Sequence, residues 1–320
     1  MKKNTNNRIG LGTAAIGRPL YINLKQEEDN YISKEAFRQK GIVLLNEAYN
    51  QGVRYFDTAP GYGMAEQMLI DWVEEKGDSN IEIATKWGYT YVADFDPNAT
   101  NHEVKEHSLN KLKEQWTKSK QLIPWLTTYQ IHSATLETGV LDNKHVLHHL
   151  ADLKSKHDLH ISITTTSDNQ TEVLKKALKV EIEGIELFDA FQITYNIFDQ
   201  DLASMVDVFV KNGKRLIIKE ALANGRIFSN NQYLHYEQAY RYLNKLAKKY
   251  SVGVDAIALR FCMDTLPVYK VLSGAANSLH LSANMKTLDF KLEPVDLDLL
   301  KELSIPPKEY WIERKQLGWN

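Results

Sequence analysis

Gly52-Val53-Arg54-Tyr55-Phe56-Asp57-Thr58-Ala59-Pro60-Gly61-Tyr62-Gly63 decides the fold of this chain. Residues 54–58 read as a short buried strand that runs into a Gly/Pro turn. Over residues 65–76 the pattern switches to helical spacing, with Met68, Leu69, Trp72 and Val73 on one stripe and Gly77 as the stop. This is one βα unit, and it recurs along the chain. Further strands are expected at 8–13, 82–87, 128–132, 160–165, 190–194, 215–220 and 268–272. Several are nearly continuous apolar runs, as parallel strands buried on both faces require. Helices are expected at 33–51, opened by Ser33 and stopped by Gly52, and at 169–180, 201–212, 236–250 and 254–263. Eight alternations in 320 residues predict an α/β fold, a (β/α)8 TIM barrel, as a single domain over 1–320 with a tail at about 303–320. A doubly wound open sheet is the alternative. Two connections, 14–32 and 88–107, exceed ordinary barrel turns and are expected as long loops at the C-terminal face, where Tyr89, Tyr91 and Phe95 offer an apolar wall.

Composition narrows the function. Thirty-nine Lys and Arg against 41 Asp and Glu leave a net charge of −2, which offers no basic field to nucleic acid or an acidic membrane. Apolar residues make up 43%, enough for a full core, yet the longest apolar runs fall far short of the roughly 18 residues that span a bilayer. The basic start, MKKNTNNRIG, carries no apolar signal region, so a cytoplasmic enzyme or binding protein is expected. The single cysteine, Cys262, excludes an internal disulfide and lies in an apolar helical stripe, which predicts core packing. Oligomeric state is not written in the chain.

Two motifs read as non-functional. Gly10-Leu11-Gly12-Thr13-Ala14-Ala15 fits a dinucleotide fingerprint, but Gly17-Arg18-Pro19 interrupts the helix that the fingerprint must open. His145, His148 and His149 share a helix face without the glutamate of a zinc motif and read as a solvated face, so no metal site is expected.

The chemistry gathers at strand ends. Asp57, Lys86 and His132 close three successive strands, and Tyr62 follows Asp57 in the loop above. An ammonium beside a phenol favours phenolate and is expected to lower the Tyr62 pKa. A carboxylate partner keeps that lysine charged, and a histidine can orient a carbonyl oxygen.

With these residues the chain resembles the aldo-keto reductase superfamily from about residue 8 to 284. The matches are 10–13, 52–59 with Tyr62-Gly63 and Glu66, Thr85-Lys86, Gln130-Ile131-His132, and Phe191-Gln192 with Tyr195-Asn196. The resemblance implies reduction of a small-molecule carbonyl substrate, or the reverse alcohol oxidation, by NADP or NAD lying across the C-terminal face. Tyr62 is then the general acid, tuned by Lys86 and Asp57, and His132 orients the carbonyl. For the cofactor it implies Gly12, Thr13, Gln192 and Asn284, with Thr164-Thr165 where the family has Ser-Asn. Lys219 falls where a stacking aromatic is usual, so Lys219 or Arg226 binds pyrophosphate or a substrate anion, or Lys219 pairs with Glu220. Ser273, Gly274 and Ala275 offer backbone to a phosphate. Gly274 and His280 replace basic residues that grip a 2′-phosphate, which weakens the case for NADP. Trp87 and Tyr89 are expected at the substrate pocket. Trp311 walls the pocket or packs the tail on the barrel. A nucleotide-binding sensor on the same fold and a Schiff-base enzyme using Lys219 remain as alternatives.

Overall fold

The computed structural model describes residues 7–19, 33–96 and 98–318. Eight parallel strands close a barrel in chain order: β1 (Ile9–Gly12), β2 (Tyr55–Asp57), β3 (Glu82–Trp87), β4 (Leu126–Ala134), β5 (His160–Thr165), β6 (Ala190–Thr194), β7 (Arg215–Lys219) and β8 (Lys270–Ser273), with β8 returning to β1. Closure overturns the open-sheet alternative.

The period of two along a strand explains how the barrel holds both a core and a site. Tyr55, Ala84, Ala190, Ile217 and Leu272 form one apolar cluster. Two residues further on, β2, β3, β6 and β7 place Asp57, Lys86, Gln192 and Lys219. A polar ring thus stands on an apolar plug, at the C-terminal ends of the strands. Register aligns the ring, with Lys86 opposite Gln130, Gln130 opposite Ser162, and Thr164 opposite Gln192. In β4 the pairing with β5 shifts between Ile131 and Ala134, and Ser133 has φ +50°, so the strand buckles where His132 reaches the mouth.

The helices follow their end signals. Lys34–Asn50 is capped by Ser33, whose hydroxyl accepts from Ala36 N at 3.1 Å, and Ala65–Lys76 stops at Gly77 with φ +59°. Over 201–212 the helix splits into a 3-10 turn, Asp201–Met205, and an α segment, Val206–Lys211. The 88–107 connection is more ordered than a loop, since Tyr89–Tyr91 and Glu103–Lys105 pair as an antiparallel ribbon. The 14–32 connection opens with one buried helical turn, Ala14–Gly17, and its residues 20–32 lie outside the described residues. Cys262 is buried and donates weakly to Tyr195 O at 3.4 Å. His145 and His148 are exposed on the helix Lys144–His157. The tail carries a helix, Pro307–Lys315, whose Tyr310 and Trp311 are buried. Among the described residues no helix is long and apolar enough to cross a membrane.

Candidate active site

Asp57 ends β2 and is 2% exposed. Its carboxylate is surrounded by donors: Lys86 Nζ on Oδ1, and Gln130 Nε2 (3.0 Å) and Gln192 Nε2 (2.7 Å) on Oδ2. Lys86 also donates to Thr58 O at 3.0 Å. A buried ion pair is stable only when its remaining lone pairs and protons are satisfied, and these contacts do that. Ser162 Oγ donates to Gln130 Oε1 at 3.2 Å, which fixes the amide so that its nitrogen faces Asp57.

Tyr62 hangs over this pair. Its backbone N donates to Ala59 O at 3.0 Å, closing the turn after β2. The phenol oxygen lies 3.5 Å from His132 Nε2, and Lys86 Nζ lies 4.8 Å from the ring centroid. The Tyr89 ring covers His132 at 4.7 Å between centroids. His107 Nε2 donates to His132 O at 2.9 Å. Burial, then the positive charges of Lys86, Arg18 and Lys219, push the His132 imidazole well below its usual range, so it is a neutral ring near pH 7.

The expected lowering of the Tyr62 pKa is corrected. Burial, followed by the Asp57 carboxylate, holds the phenol well above its ordinary value, with Arg18 acting in the opposite sense. Lys86 is bound to Asp57, so the phenol meets an ion pair rather than a bare cation.

Asp57, Tyr62 and His132 face a cleft of about 410 Å³. Its charged lining includes Arg18, Glu103, Lys219, Glu220 and Arg314. Arg314 holds Glu220 through two bonds, at 2.9 and 3.1 Å. Burial works to raise the Glu220 pKa, but Arg314 and Lys219 outweigh it and hold the carboxyl well below the usual range. Lys219 donates to Thr194 Oγ1 at 2.8 Å and lies 3.6 Å from Glu220, the internal salt bridge that was the alternative to a ligand role. Burial lowers its pKa.

Of the residues proposed from the resemblance, Gly12, Thr164, Gln192, Ser273 and Gly274 line the cleft. Others do not. Thr165 turns into the wall and donates to Gln170 Oε1 at 3.1 Å, while Thr166 faces the cleft. Thr13 donates to Asp57 O at 3.0 Å, bracing β1 on β2. Ala275 is 1% exposed with its N–H on Ser273 Oγ at 3.3 Å, so it offers nothing to a phosphate. Arg226 is fully buried beneath the tail, bonded to Tyr310 O (3.2 Å) and Glu313 (2.8 Å), and is no anion ligand. Trp87 is fully buried behind the wall, edge-on to His107, whereas Tyr89 stands beside His132. Asn284 is buried with its amide nitrogen on Asp255 Oδ2 at 2.7 Å and its oxygen on Ser273 Oγ at 2.8 Å. Trp311 packs into the barrel, and it is Arg314, three residues on, that reaches the mouth. Arg18, Glu103, Gln130 and Arg314 also belong to the site, beyond the residues that the sequence points to. Only Gln130, on the strand ending at His132, carried a local signal for it.

The sequence profile of the Aldo/keto reductase family matches residues 8–305. The chain is 22% identical to an aldo-keto reductase of Bacillus subtilis, over 90% of this chain and 87% of that protein. It is 21% identical to the NADH-specific methylglyoxal reductase of Escherichia coli, over 94% and 95%. Among solved structures, a glycerol dehydrogenase of Gluconobacter oxydans superposes with a TM-score of 0.70 at 19% identity, covering 92% of this chain and 90% of that one. The holo form of an aldo-keto reductase from Bacillus halodurans gives 0.69 at 18%, covering 93% and 92%. At such identities these superpositions establish the shared barrel.

Proposed function

The chain belongs to the aldo/keto reductase family, and on that premise we propose that it interconverts a small carbonyl compound and its alcohol with a nicotinamide dinucleotide, Tyr62 being the general acid. One observation carries the reading: the Tyr62 hydroxyl, a neutral His132 and the Asp57–Lys86 pair meet at one point of one cleft.

The residues present fit the dinucleotide. Thr164 Oγ1 accepts from Ser133 N at 2.6 Å, which leaves the Thr164 proton to donate toward a carboxamide oxygen. Gln192 spends its nitrogen on Asp57 and keeps its carbonyl oxygen as an acceptor for a carboxamide N–H. At Gly274 a Cβ would meet nothing within 4 Å, so the backbone there stands clear for a phosphate-bearing chain. Glycine at 274 and an exposed histidine at 280 supply no fixed cation for a 2′-phosphate, which supports NADH over NADPH.

When bound, the nicotinamide supplies the hydride. Tyr62 and the imidazole of His132 hold the carbonyl oxygen between them. Tyr62 then transfers its proton as negative charge grows on that oxygen, and Lys86 stabilises the phenolate left behind. A phenol whose pKa is raised stays protonated at neutral pH and is a competent acid in the reducing direction.

Tyr62→Phe tests this. Turnover is expected to fall by roughly 10²- to 10⁴-fold while NADH binding, followed by tryptophan fluorescence, holds within about twofold. Near-normal turnover would overturn the reading.

A further inference from the structure

The segment after β1 and the loop bearing Tyr62 are locked together through their backbones. Met64 N donates to Gly17 O at 2.8 Å. A Cβ on Gly17 would lie 2.0 Å from Tyr62 O, and one on Gly63, at φ +63°, would lie 2.3 Å from Gly17 O. Two facing glycines permit this approach, and larger residues forbid it. The result is the delivery of Arg18 onto Tyr62. The guanidinium carbon is 5.4 Å from the ring centroid. Its Nη1 donates to Gly61 O at 3.0 Å and to Glu103 Oε2 at 2.7 Å. Glu103 arrives from the antiparallel ribbon. The Arg18 side chain is 3% exposed and that of Glu103 25%.

We propose that Arg18 and Glu103 form an opposed charge pair that sets how readily Tyr62 releases its proton, with Arg18 a positioning residue acting through the phenol. The inference rests on Tyr62 being the general acid. Among the described residues, the charged and titratable groups acting on the phenol are Asp57, Lys86, His132, Arg18, Glu103 and Glu220. Lys86 is engaged by Asp57, His132 is neutral, and Glu220 is held by Arg314 and Lys219. In the Arg18–Glu103 pair the cation is buried and the anion half-open to water. The cation therefore acts on the phenol through a lower dielectric than the anion does. It stabilises the phenolate, and Glu103 opposes it. Both effects run in those directions on the Tyr62 pKa.

The opposition supplies the test. Arg18→Met and Glu103→Gln both break the same ion pair, but they leave opposite charges behind. In the full-length protein the alkaline limb of the carbonyl-reduction rate is measured for each variant. The same ionisation is followed without catalysis by ¹⁹F NMR, with a trifluorotyrosine at position 62 whose more acidic phenol brings the titration into reach. Arg18→Met is expected to move the titration up by roughly one pH unit, Glu103→Gln to move it down by less, and Arg18→Lys to restore most of the first shift. A pair that merely ties two loops would shift both variants the same way, or neither, and either result overturns the proposal. Tyr62→Phe separates the two claims. If that variant keeps its turnover, the acid assignment fails, while the fluorine titration still decides whether Arg18 and Glu103 govern the phenol.

Discussion

Gln192 donates to Asp57 Oδ2 at 2.7 Å from β6, on the far side of the barrel from β2. Gln130 shares that oxygen from β4 at 3.0 Å. The two amides span the mouth and keep Asp57 aimed at Lys86. Only Gln192 also faces the cleft. Hydrogen bonds to a buried charge contribute about 1.5–3 kcal/mol each. Gln130→Leu and Gln192→Leu are therefore both expected to lower unfolding free energy by about that amount and to reduce turnover. They should differ in NADH affinity, which Gln192→Leu weakens and Gln130→Leu leaves alone. Equal dissociation constants in the two variants would assign Gln192 to Asp57 alone.

The sequence made the barrel legible because its strands are local signals. Residues 82–87, 160–165 and 190–194 form strands with those same bounds. Asp57, Lys86 and His132 were legible for the same reason, as polar residues closing buried strands. Arg18 and Arg314 were not, because tertiary packing brings them in: one by two facing glycines, the other by a tail helix docked some 94 residues from its partner Glu220. Arg226 misled for the converse reason. A cation beside a cleft in sequence says nothing of which way it points, and Glu313 and Tyr310 claim it. The sign of the Tyr62 shift turned on the burial of the phenol, which no spacing reveals.

Asp199 gives the fold a pH dependence. It is 1% exposed, and burial pushes its pKa up to about 7 despite bonds from Gln170 Nε2 (3.3 Å) and Asp201 N (3.4 Å). In the unfolded chain an aspartate titrates near 3.9. Below about pH 4 both states hold the proton and the contribution to stability is full. As pH rises toward about 7 the unfolded state releases its proton first, and stability falls until the folded carboxyl ionises too. Melting temperature is thus expected to drop between pH 5 and pH 8 by more in the native protein than in Asp199→Asn. Parallel profiles would remove Asp199 as the cause.

Glu313 holds the tail on the barrel. Its carboxylate accepts from Arg226 (2.8 Å), Tyr236 (2.6 Å) and His235 (2.7 Å), and Arg226 is fully buried. Removing one partner of a buried pair leaves the other charge uncompensated, at about 3–5 kcal/mol. Glu313→Gln keeps one acceptor oxygen, so a loss of about 2–3 kcal/mol is expected by denaturant unfolding. Because Arg314 follows directly and reaches the cleft, the variant should also raise KM for substrate. Full stability would show that the tail docks through Tyr310 and Trp311 alone.

Two glycines of the same region should respond differently to one methyl group. At Gly10 the nearest atoms to a new Cβ are Tyr55 Cδ1 (2.8 Å) and Leu272 Cδ2 (2.9 Å), both side chains of the plug that can turn aside. At Gly17 they are Tyr62 O (2.0 Å), Ala65 Cβ (2.5 Å) and Ala65 N (2.9 Å), none of which moves without the loop and the helix behind it. Gly10→Ala is therefore an overpacking change, expected to lower stability by about 1–3 kcal/mol with turnover per folded molecule retained. Gly17→Ala must displace the Tyr62 backbone, and a misplacement of about 1 Å at a reacting group is worth on the order of 10²-fold in rate. Turnover in Gly17→Ala should fall by that order even in the fraction that remains folded. Unchanged turnover would mean that the Tyr62 loop tolerates the shift, and that its contact with Gly17 does not set the position of the phenol.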